Sequence, residues 1–464
     1  MEKFDAIVIG GGPGGYECAI RFSQNGFTTA LVEENKLGGT CLNRGCIPTK
    51  TLLHSSDVYY EACHGAAFGV SVEGASFDYA KIIERKNAVS NQLSNGIGFL
   101  EKSWGVTVFN AHATVRDAKT VELSSSEVLT CDNLVIATGS EPANVPIPGA
   151  DLPGVVNSTG LLDMTQCPEH IIIVGGGVIG IEFATFFNRL GVKVTVVEML
   201  DRILGPLDKA VSDFLTRDLK KAGVELITGV KVTAIESGLK VSYESLATGE
   251  VGACEGDVVL MAGGRAVNTR GFGLEELGVE MDRKGIIVVD DMCRTNVEGV
   301  FAIGDINGKM QLAHVASAQG ILVADFVAGK PCKALNYNNI PSCVYSNPET
   351  AMVGLTEEQA AATGRKIAVA KFDLAGNGKA LTMGENKGFV KFVYDADTEE
   401  ILGFHVIGPR ATDLASGVAC VMESGGKLSD SAGTVHPHPT VSEAVMEAAL
   451  AAFGASCNVP RPRR

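Results

Sequence analysis

The sequence predicts an α/β fold: two doubly wound parallel-sheet units followed by a C-terminal α+β unit. Three observations carry that prediction. A strand, glycine turn, helix and second strand occur twice, as DAIVIGGGPGGYECAIRFSQNGFTTALVEE and as HIIIVGGGVIGIEFATFFNRLGVKVTVVEM. The second strand of each copy closes on an acid, Glu33 or Glu198, at the same offset from its glycines. From residue 336 the pattern changes to stretches such as GFVKFVYDADTEEILGFHVIG, which reads as an antiparallel sheet with helices.

In the first copy Gly10, Gly12 and Gly15 form G-x-G-x-x-G and Glu33 closes the next strand. Gly175, Gly177, Gly180 and Glu198 repeat the arrangement in the second. Glycines tighten such a turn and let the backbone approach a pyrophosphate, whose charge rests at the helix N-terminus. The acid accepts bonds from a ribose diol. In a single copy the glycines could serve close helix packing alone. Two copies, each between strand and helix and each with its acid, point to two Rossmann-like dinucleotide units.

A further strand ending in small residues follows each unit, NLVIATGSEP after the first and GDVVLMAGGR after the second. The boundary between units falls in the proline-rich SEPANVPIPGADLPG. The strand of GVFAIGDINGK has no glycine-turn unit of its own and is expected to return to the first unit. The expected division is therefore 1–145 and 269–335 for the first unit, 146–268 for the second and 336–464 for the third.

Length and composition agree with several sizeable cores. The 464 residues are about three typical domains, with 45% hydrophobic and 20% charged residues. A formal charge of −15 disfavours nucleic acid and anionic membrane as partners. MEKFDAIVIGGG enters an apolar strand without a cationic leader, so a cytoplasmic chain is expected. IIIVGGGVIGIEFATFF is apolar, but it holds three successive glycines and Glu182 and is too short to span a membrane comfortably. Most of the twelve cysteines are expected to be small, inert, buried hydrophobes.

Cys41 and Cys46 in GGTCLNRGCIPTK are different. A zinc site needs four ligands, and the sole other close group is His436 with His438. A permanent disulfide would be reduced in a cytosolic protein. A disulfide that opens and closes during turnover is the best reading. The glycines leave backbone room, and PTKTLLHSSDVYYEA implies a helix whose N-terminus, with Lys50, would favour the thiolate of Cys46. A thiol pair accepts hydride poorly from a nicotinamide, so a flavin between them is required.

GGTCLNRGCIPTK, LVIATGS, GGGVIGIE, VFAIGDI, LAHVASAQG, VYSNPETAMVGLTE and HPHPTVSEAVMEAA together resemble the flavin disulfide reductases over essentially the whole chain. The resemblance implies FAD in the first unit, NAD in the second and a homodimer formed through the third. It implies that Gly10, Gly12, Gly15 and Glu33 hold FAD, with Thr138 and Gly139 near its adenine-side phosphates and Asp305 on its ribityl chain. Cys46 would be the thiolate beside the flavin, and Cys41 would exchange with the substrate sulfur. Lys50 and Glu182 would flank the flavin's reactive face; without the resemblance they read equally as a solvated lysine and a helix ion-pair partner. Gly175, Gly177, Gly180 and Glu198 would hold NAD, and Gly264 and His314 complete the cofactor-contacting set. No metal is implied.

The resemblance singles out His438, directly before Pro-Thr, as the base that deprotonates a dithiol substrate, with Glu443 orienting its ring. Glutathione reductases share that dyad. Reductases that use NADPH usually carry arginine where Glu198 stands, and Glu198 would repel a 2′-phosphate, so NAD follows. Mercuric and large thioredoxin reductases carry C-terminal cysteine pairs, whereas Cys457 stands alone. Two departures are Gln319, where an acid is commoner, and Val267, where G-R-x-P-N has proline. The tail NVPRPRR matches no family signature. The implied activity is oxidation of a dihydrolipoyl group on a separate lipoylated protein, in a 2-oxoacid dehydrogenase complex or the glycine cleavage system. Alternatives are a related reductase of a small dithiol or disulfide such as glutathione disulfide, or a flavin-holding subunit kept for binding alone. Intact Cys41, Cys46 and His438 argue against the last.

Overall fold

The computed structural model describes residues 2–460; Met1 and the last four residues of the NVPRPRR tail lie outside the described residues. Glu2–Ile9, Thr29–Glu33, Thr107–Asn110 and Val128–Ile136 pair as parallel strands, which a meander of Thr120–Leu123 and Ala113–Asp117 extends. Ala6, Ile7, Val8 and Leu31 are wholly buried, as befits strands covered on both faces. Val300–Ala302 adds a seventh strand to this sheet, parallel to Val128–Ile136 with Val300 opposite Leu134.

The second parallel sheet has five strands, in the order Glu225–Thr228, Lys193–Glu198, His170–Val174, Val258–Met261 and Val155–Asn157. The antiparallel meander Val230–Glu236, Lys240–Ser245 and Val251–Glu255 packs beside it. Between the two parallel sheets, Ser140–Pro142 pairs antiparallel with Arg265–Val267. The chain thus leaves the first sheet and comes back to it along a single two-stranded ribbon.

The third sheet is antiparallel, in the order Ser342–Val344, Thr350–Gly354, Ile401–Ile407, Phe389–Asp395 and Ile367–Asp373. The antiparallel pairing expected from GFVKFVYDADTEEILGFHVIG is present. Its two strands are buried at nearly every residue. Phe389 and Ile407 pack with the second unit, while Val390, Phe392, Phe404 and Val406 pack with Ala415 and Val418 of one helix and Ala444 and Val445 of another. Each face belongs to a different core.

The expectation for the cysteines is corrected. Of ten free cysteines, Cys18, Cys131 and Cys293 are buried, whereas Cys63, Cys332, Cys420 and Cys457 are exposed. Apolar neighbours in sequence did not translate into buried neighbours in space. No helix among the described residues is long and apolar enough to cross a membrane.

One buried acid gives the fold a pH dependence. Glu101, in the helix Tyr79–Ser103, is wholly buried, neither of its side-chain oxygens is hydrogen-bonded among the described residues, and burial pushes its pKa up from 4.5 to about 8. A carboxyl whose folded pKa is raised contributes stability below its unfolded value and loses it as pH climbs to the folded one. The Tm advantage of Glu101→Gln over wild type is therefore expected to grow between pH 4.5 and 8. Thermal melts across that range check this, and a pH-independent difference would refute it.

Candidate active site

The two glycine turns are built alike. Gly10 and Gly175 have φ of 104° and 118°, and a side chain on either would collide with the carbonyl of Ala137 or Ala262. A Cβ on Gly15 or Gly180 would overlap the carbonyl oxygen of Gly10 or Gly175, so these third glycines let the helix sit against its own turn. The middle glycines differ: Gly177 has nothing within 4 Å of where a Cβ would stand, and Gly12 meets only the Gly39 Cα at 3.9 Å. Both open the helices Pro13–Gln24 and Val178–Arg189, and neither helix has a side-chain N-cap. The first amides are thus left for an anion.

The two acids are held alike as well. Glu33 accepts the amides of Gly11 and Asn35, each at 2.7 Å. Glu198 accepts the amides of Gly176 and Leu200, the latter at 2.7 Å. Near Glu198 the next arginine, Arg202, is already paired with Glu358 at 2.9 Å. A 2′-phosphate would face a fixed carboxylate with that cation engaged. NAD is expected to exceed NADP in kcat/KM by at least one to two orders of magnitude, about 1–3 kcal/mol for the like-charge clash and a lost hydrogen bond. Steady-state kinetics with both nucleotides decide it; equal values would sink the assignment.

Cys41 and Cys46 form a disulfide with Cα atoms 4.7 Å apart. Cys41 lies in the short helix Gly39–Arg44, and Cys46 is the first residue of the 19-residue helix Cys46–His64. One turn into that helix, the Lys50 ammonium donates to both oxygens of Glu182 at 2.7 and 2.8 Å. Glu182 is buried and also accepts the Tyr345 amide at 3.1 Å, while the Tyr345 ring lies 4.6 Å from the Lys50 ammonium. The disulfide therefore opens a helix that a lysine–glutamate pair ties to the second glycine motif.

Asp305, just beyond Val300–Ala302, accepts the Ser140 hydroxyl and lies 3.7 Å from Arg265. Arg265 donates to the Ser140 hydroxyl at 2.7 Å and to its carbonyl at 2.6 Å. Of this half-buried Arg265–Ser140–Asp305 group only Asp305 was singled out in the sequence; the pairing of the ribbon brings Arg265 and Ser140 to it. Thr138 donates its hydroxyl to the Asn268 carbonyl at 2.6 Å, which holds the Gly139 turn at φ 68°. The His314 ring donates to the Pro341 carbonyl at 3.0 Å, and burial pushes its pKa down. Gln319 is wholly buried, accepts the Gly304 amide at 2.6 Å and donates to the Tyr337 hydroxyl at 2.9 Å. The amide in place of an acid therefore has its own partners.

A single cavity of about 2190 Å³ joins these groups. Gly10, Gly12, Glu33, Cys41, Cys46, Lys50, Thr138, Gly139, Gly177, Glu182, Gly264, Asp305 and His314 all line it, as does Arg265. Its volume exceeds that of one ordinary ligand pocket and suits two dinucleotides. Gly139 and Gly264, both at positive φ, leave open space where a side chain would stand, so the walls fit extended cofactors. Gly15, Gly175, Gly180 and Glu198 are not among its lining residues.

His438 and Glu443 are apart from this cavity within one chain. The His438 Nδ1 lies 2.9 Å from Glu443, yet the His438 side chain is 78% exposed. Glu443 also accepts the Thr440 amide at 2.8 Å, and that amide and His438 hold its carboxyl below the usual range. The dyad is built, but its imidazole faces outward.

A disulfide at a helix start, inside a cavity that two dinucleotide cradles share, defines a nucleotide-linked dithiol–disulfide oxidoreductase. Comparison with known proteins agrees. Residues 4–320 match the pyridine nucleotide-disulphide oxidoreductase family, and residues 340–449 match its dimerisation domain. A dihydrolipoyl dehydrogenase of Bacillus subtilis (strain 168) is 42% identical, over 97% of this chain and 98% of that one. Another from Pseudomonas aeruginosa is 40% identical, over 98% and 99%. Among solved structures, LpdA from Mycobacterium tuberculosis aligns with a TM-score of 0.88 at 26% identity, covering 97% of this chain and 99% of that one. The HOCl-induced flavoprotein disulfide reductase RclA from Escherichia coli aligns with a TM-score of 0.86 at 29% identity, covering 96% and 99%. The chain belongs to the pyridine nucleotide-disulphide oxidoreductase family.

Proposed function

We propose that the protein carries out the dihydrolipoyl dehydrogenase reaction. It oxidises protein-bound dihydrolipoamide to lipoamide and passes two electrons through the Cys41–Cys46 disulfide and FAD to NAD. The observation that carries this reading is the disulfide beside the Lys50–Glu182 pair, within one cavity reached from both glycine motifs. FAD and NAD are its cofactors. When bound, FAD converts between thiol electrons and nicotinamide hydride.

The chain's own residues do the rest. One sulfur of the dihydrolipoyl dithiol attacks Cys41, and Cys46 leaves as thiolate, stabilised at the N-terminus of its helix. The second substrate sulfur then displaces Cys41, so the substrate leaves as a disulfide and the enzyme holds the dithiol. His438, with Nδ1 donating to Glu443, offers Nε2 to the substrate's thiol proton. The Lys50–Glu182 pair holds the cavity wall next to Cys46, and Asp305, Ser140 and Arg265 hold the wall along the first motif.

The protein is a homodimer whose partner is a lipoylated protein of a 2-oxoacid dehydrogenase complex or the glycine cleavage system. We divide the chain into an FAD unit of 1–145 with 269–335, an NAD unit of 146–268 and an interface unit from 336. We place it in the cytoplasm, a reducing compartment that suits four exposed free cysteines. Turnover of free dihydrolipoamide with NAD, against glutathione disulfide with NADPH, tests the reading. Activity confined to the second pair would replace it with the small-disulfide alternative.

A further inference from the structure

Part of the cavity wall is made jointly by two units. Pro206 and Leu207 come from the second, Leu355 and Gln359 from the third, and they line the same cavity as Gly177, Ile179 and Glu182. Directly behind them lies a charge cluster that the reaction above does not use. Asp208 follows Leu207, is 1% exposed and accepts the Ala210 amide at the start of the helix Lys209–Lys221. Lys391 is 4% exposed and donates to both Asp208 oxygens at 2.8 and 2.9 Å and to Glu357 at 2.6 Å. The Glu357 amide donates back to Asp208 at 3.1 Å. His405, the cross-strand neighbour of Lys391, donates to the Leu355 carbonyl at 3.0 Å and lies 3.9 Å from Asp208. The cluster thus fastens the residue after Leu207 to the segment that carries Leu355.

Apolar packing already joins these units, since Phe214 of the second unit meets Phe389 of the third. A further apolar pair in place of Lys391 and Asp208 would hold them at least as firmly, because desolvation offsets most of a buried ion pair's attraction. What directional bonds add is register: a lysine bound to three carboxylate oxygens permits one placement of its strand against Asp208, at the start of the helix Lys209–Lys221, and Glu357, in the short helix Glu357–Ala361. That placement sets the gap between Leu207 and Leu355. A dinucleotide with its pyrophosphate at Gly177 and its adenosine toward Glu198 would have its other end in the cavity that Ile179 and Glu182 line together with Leu207 and Leu355.

We propose that Lys391 is a positioning residue for the nicotinamide end of the bound nucleotide, acting through Asp208 and Glu357 on the wall formed by Leu207 and Leu355. The inference rests on the reading of the second unit as the NAD site. The test uses the FAD-loaded dimer and two probes: NAD, and ADP-ribose, which has the pyrophosphate and both riboses but no nicotinamide. Titration calorimetry of Lys391→Met is expected to show NAD binding weakened about tenfold, with ADP-ribose changed by less than about twofold. Lys391→Arg, which keeps the charge, should restore most of the NAD affinity. Glu357→Gln removes one carboxylate at a half-exposed site and should move NAD in the same direction by less, so the test does not hang on Lys391→Met folding. Equal changes for the two probes, or none, would assign Lys391 to stability alone and overturn the proposal. Wild-type protein that binds neither probe would remove the NAD reading itself, a separate outcome.

Discussion

Replacing Cys46 with Ser is expected to lower kcat/KM for dihydrolipoamide by at least about 10⁴, the scale on which loss of a covalent nucleophile acts. The variant should still fold and bind flavin, because Cys46 contributes one sulfur at the first position of a long helix whose buried face is formed by Thr49, Leu52, Leu53 and Ser56. It should differ in colour. A Cys46 thiolate beside oxidised flavin gives a long-wavelength absorption band when the wild-type enzyme takes up two electrons without oxygen, and Cys46→Ser should lack it. Cys41→Ser should show the band even without reductant, because Cys46 then has no disulfide partner and the helix N-terminus favours its ionised form. Anaerobic spectra of the three proteins separate the roles of the two sulfurs. A band that persists in Cys46→Ser would assign the flavin-side sulfur to Cys41 instead.

Mixing two inactive variants, Cys46→Ser and His438→Gln, is expected to restore roughly a quarter of wild-type activity. Within one chain His438 is outside the cavity that holds Cys41, and its side chain is 78% exposed although Glu443 already orients the ring. An oriented base that faces outward has a use if a second copy brings its own disulfide to it. A two-fold dimer does this twice, with each site a hybrid of both chains. In a mixed dimer the chain with intact cysteines meets intact His438 from the other chain, and the second site is doubly defective. About half of randomly paired dimers are mixed, so about a quarter of the sites are complete. Co-expression followed by turnover assays measures this. If each site used its own histidine no dimer would have a complete site, and no recovery would mean that the site is not shared.

Features set by short spacings were the most legible in the sequence. Gly10, Gly12, Gly15 and Glu33, and their counterparts, declare themselves because turn, helix and strand each have a fixed length. Cys41 with Cys46 and His438 with Glu443 are also local pairs; the first read as a redox disulfide from its own surroundings, and resemblance gave the roles of the two sulfurs and of the dyad. Lys50 and Glu182 are distant in sequence, and resemblance rather than periodicity linked them. Arg265 stayed hidden because its partners Ser140 and Asp305 depend on the register of the ribbon. The burial of Lys391 and His405 was hidden for a similar reason: the sequence indicates their antiparallel strands but not that the second unit closes over that face. The exposed cysteines show the same limit, since composition near a residue does not say which side of a helix it occupies.

The late seventh strand of the first sheet has a consequence for the protein's synthesis. Val300–Ala302 lies against the C-terminal half of Val128–Ile136, but a ribosome makes the entire second parallel sheet before it makes Val300. During that interval Leu134, Val135 and Ile136 present an unsatisfied, apolar strand edge, a template for stray pairing with other emerging chains. The vulnerable species is therefore a nascent chain rather than a destabilised native one. A translational pause placed within the second unit would lengthen the exposure of that edge, whereas a pause after Ala302 would fall when the edge is already covered.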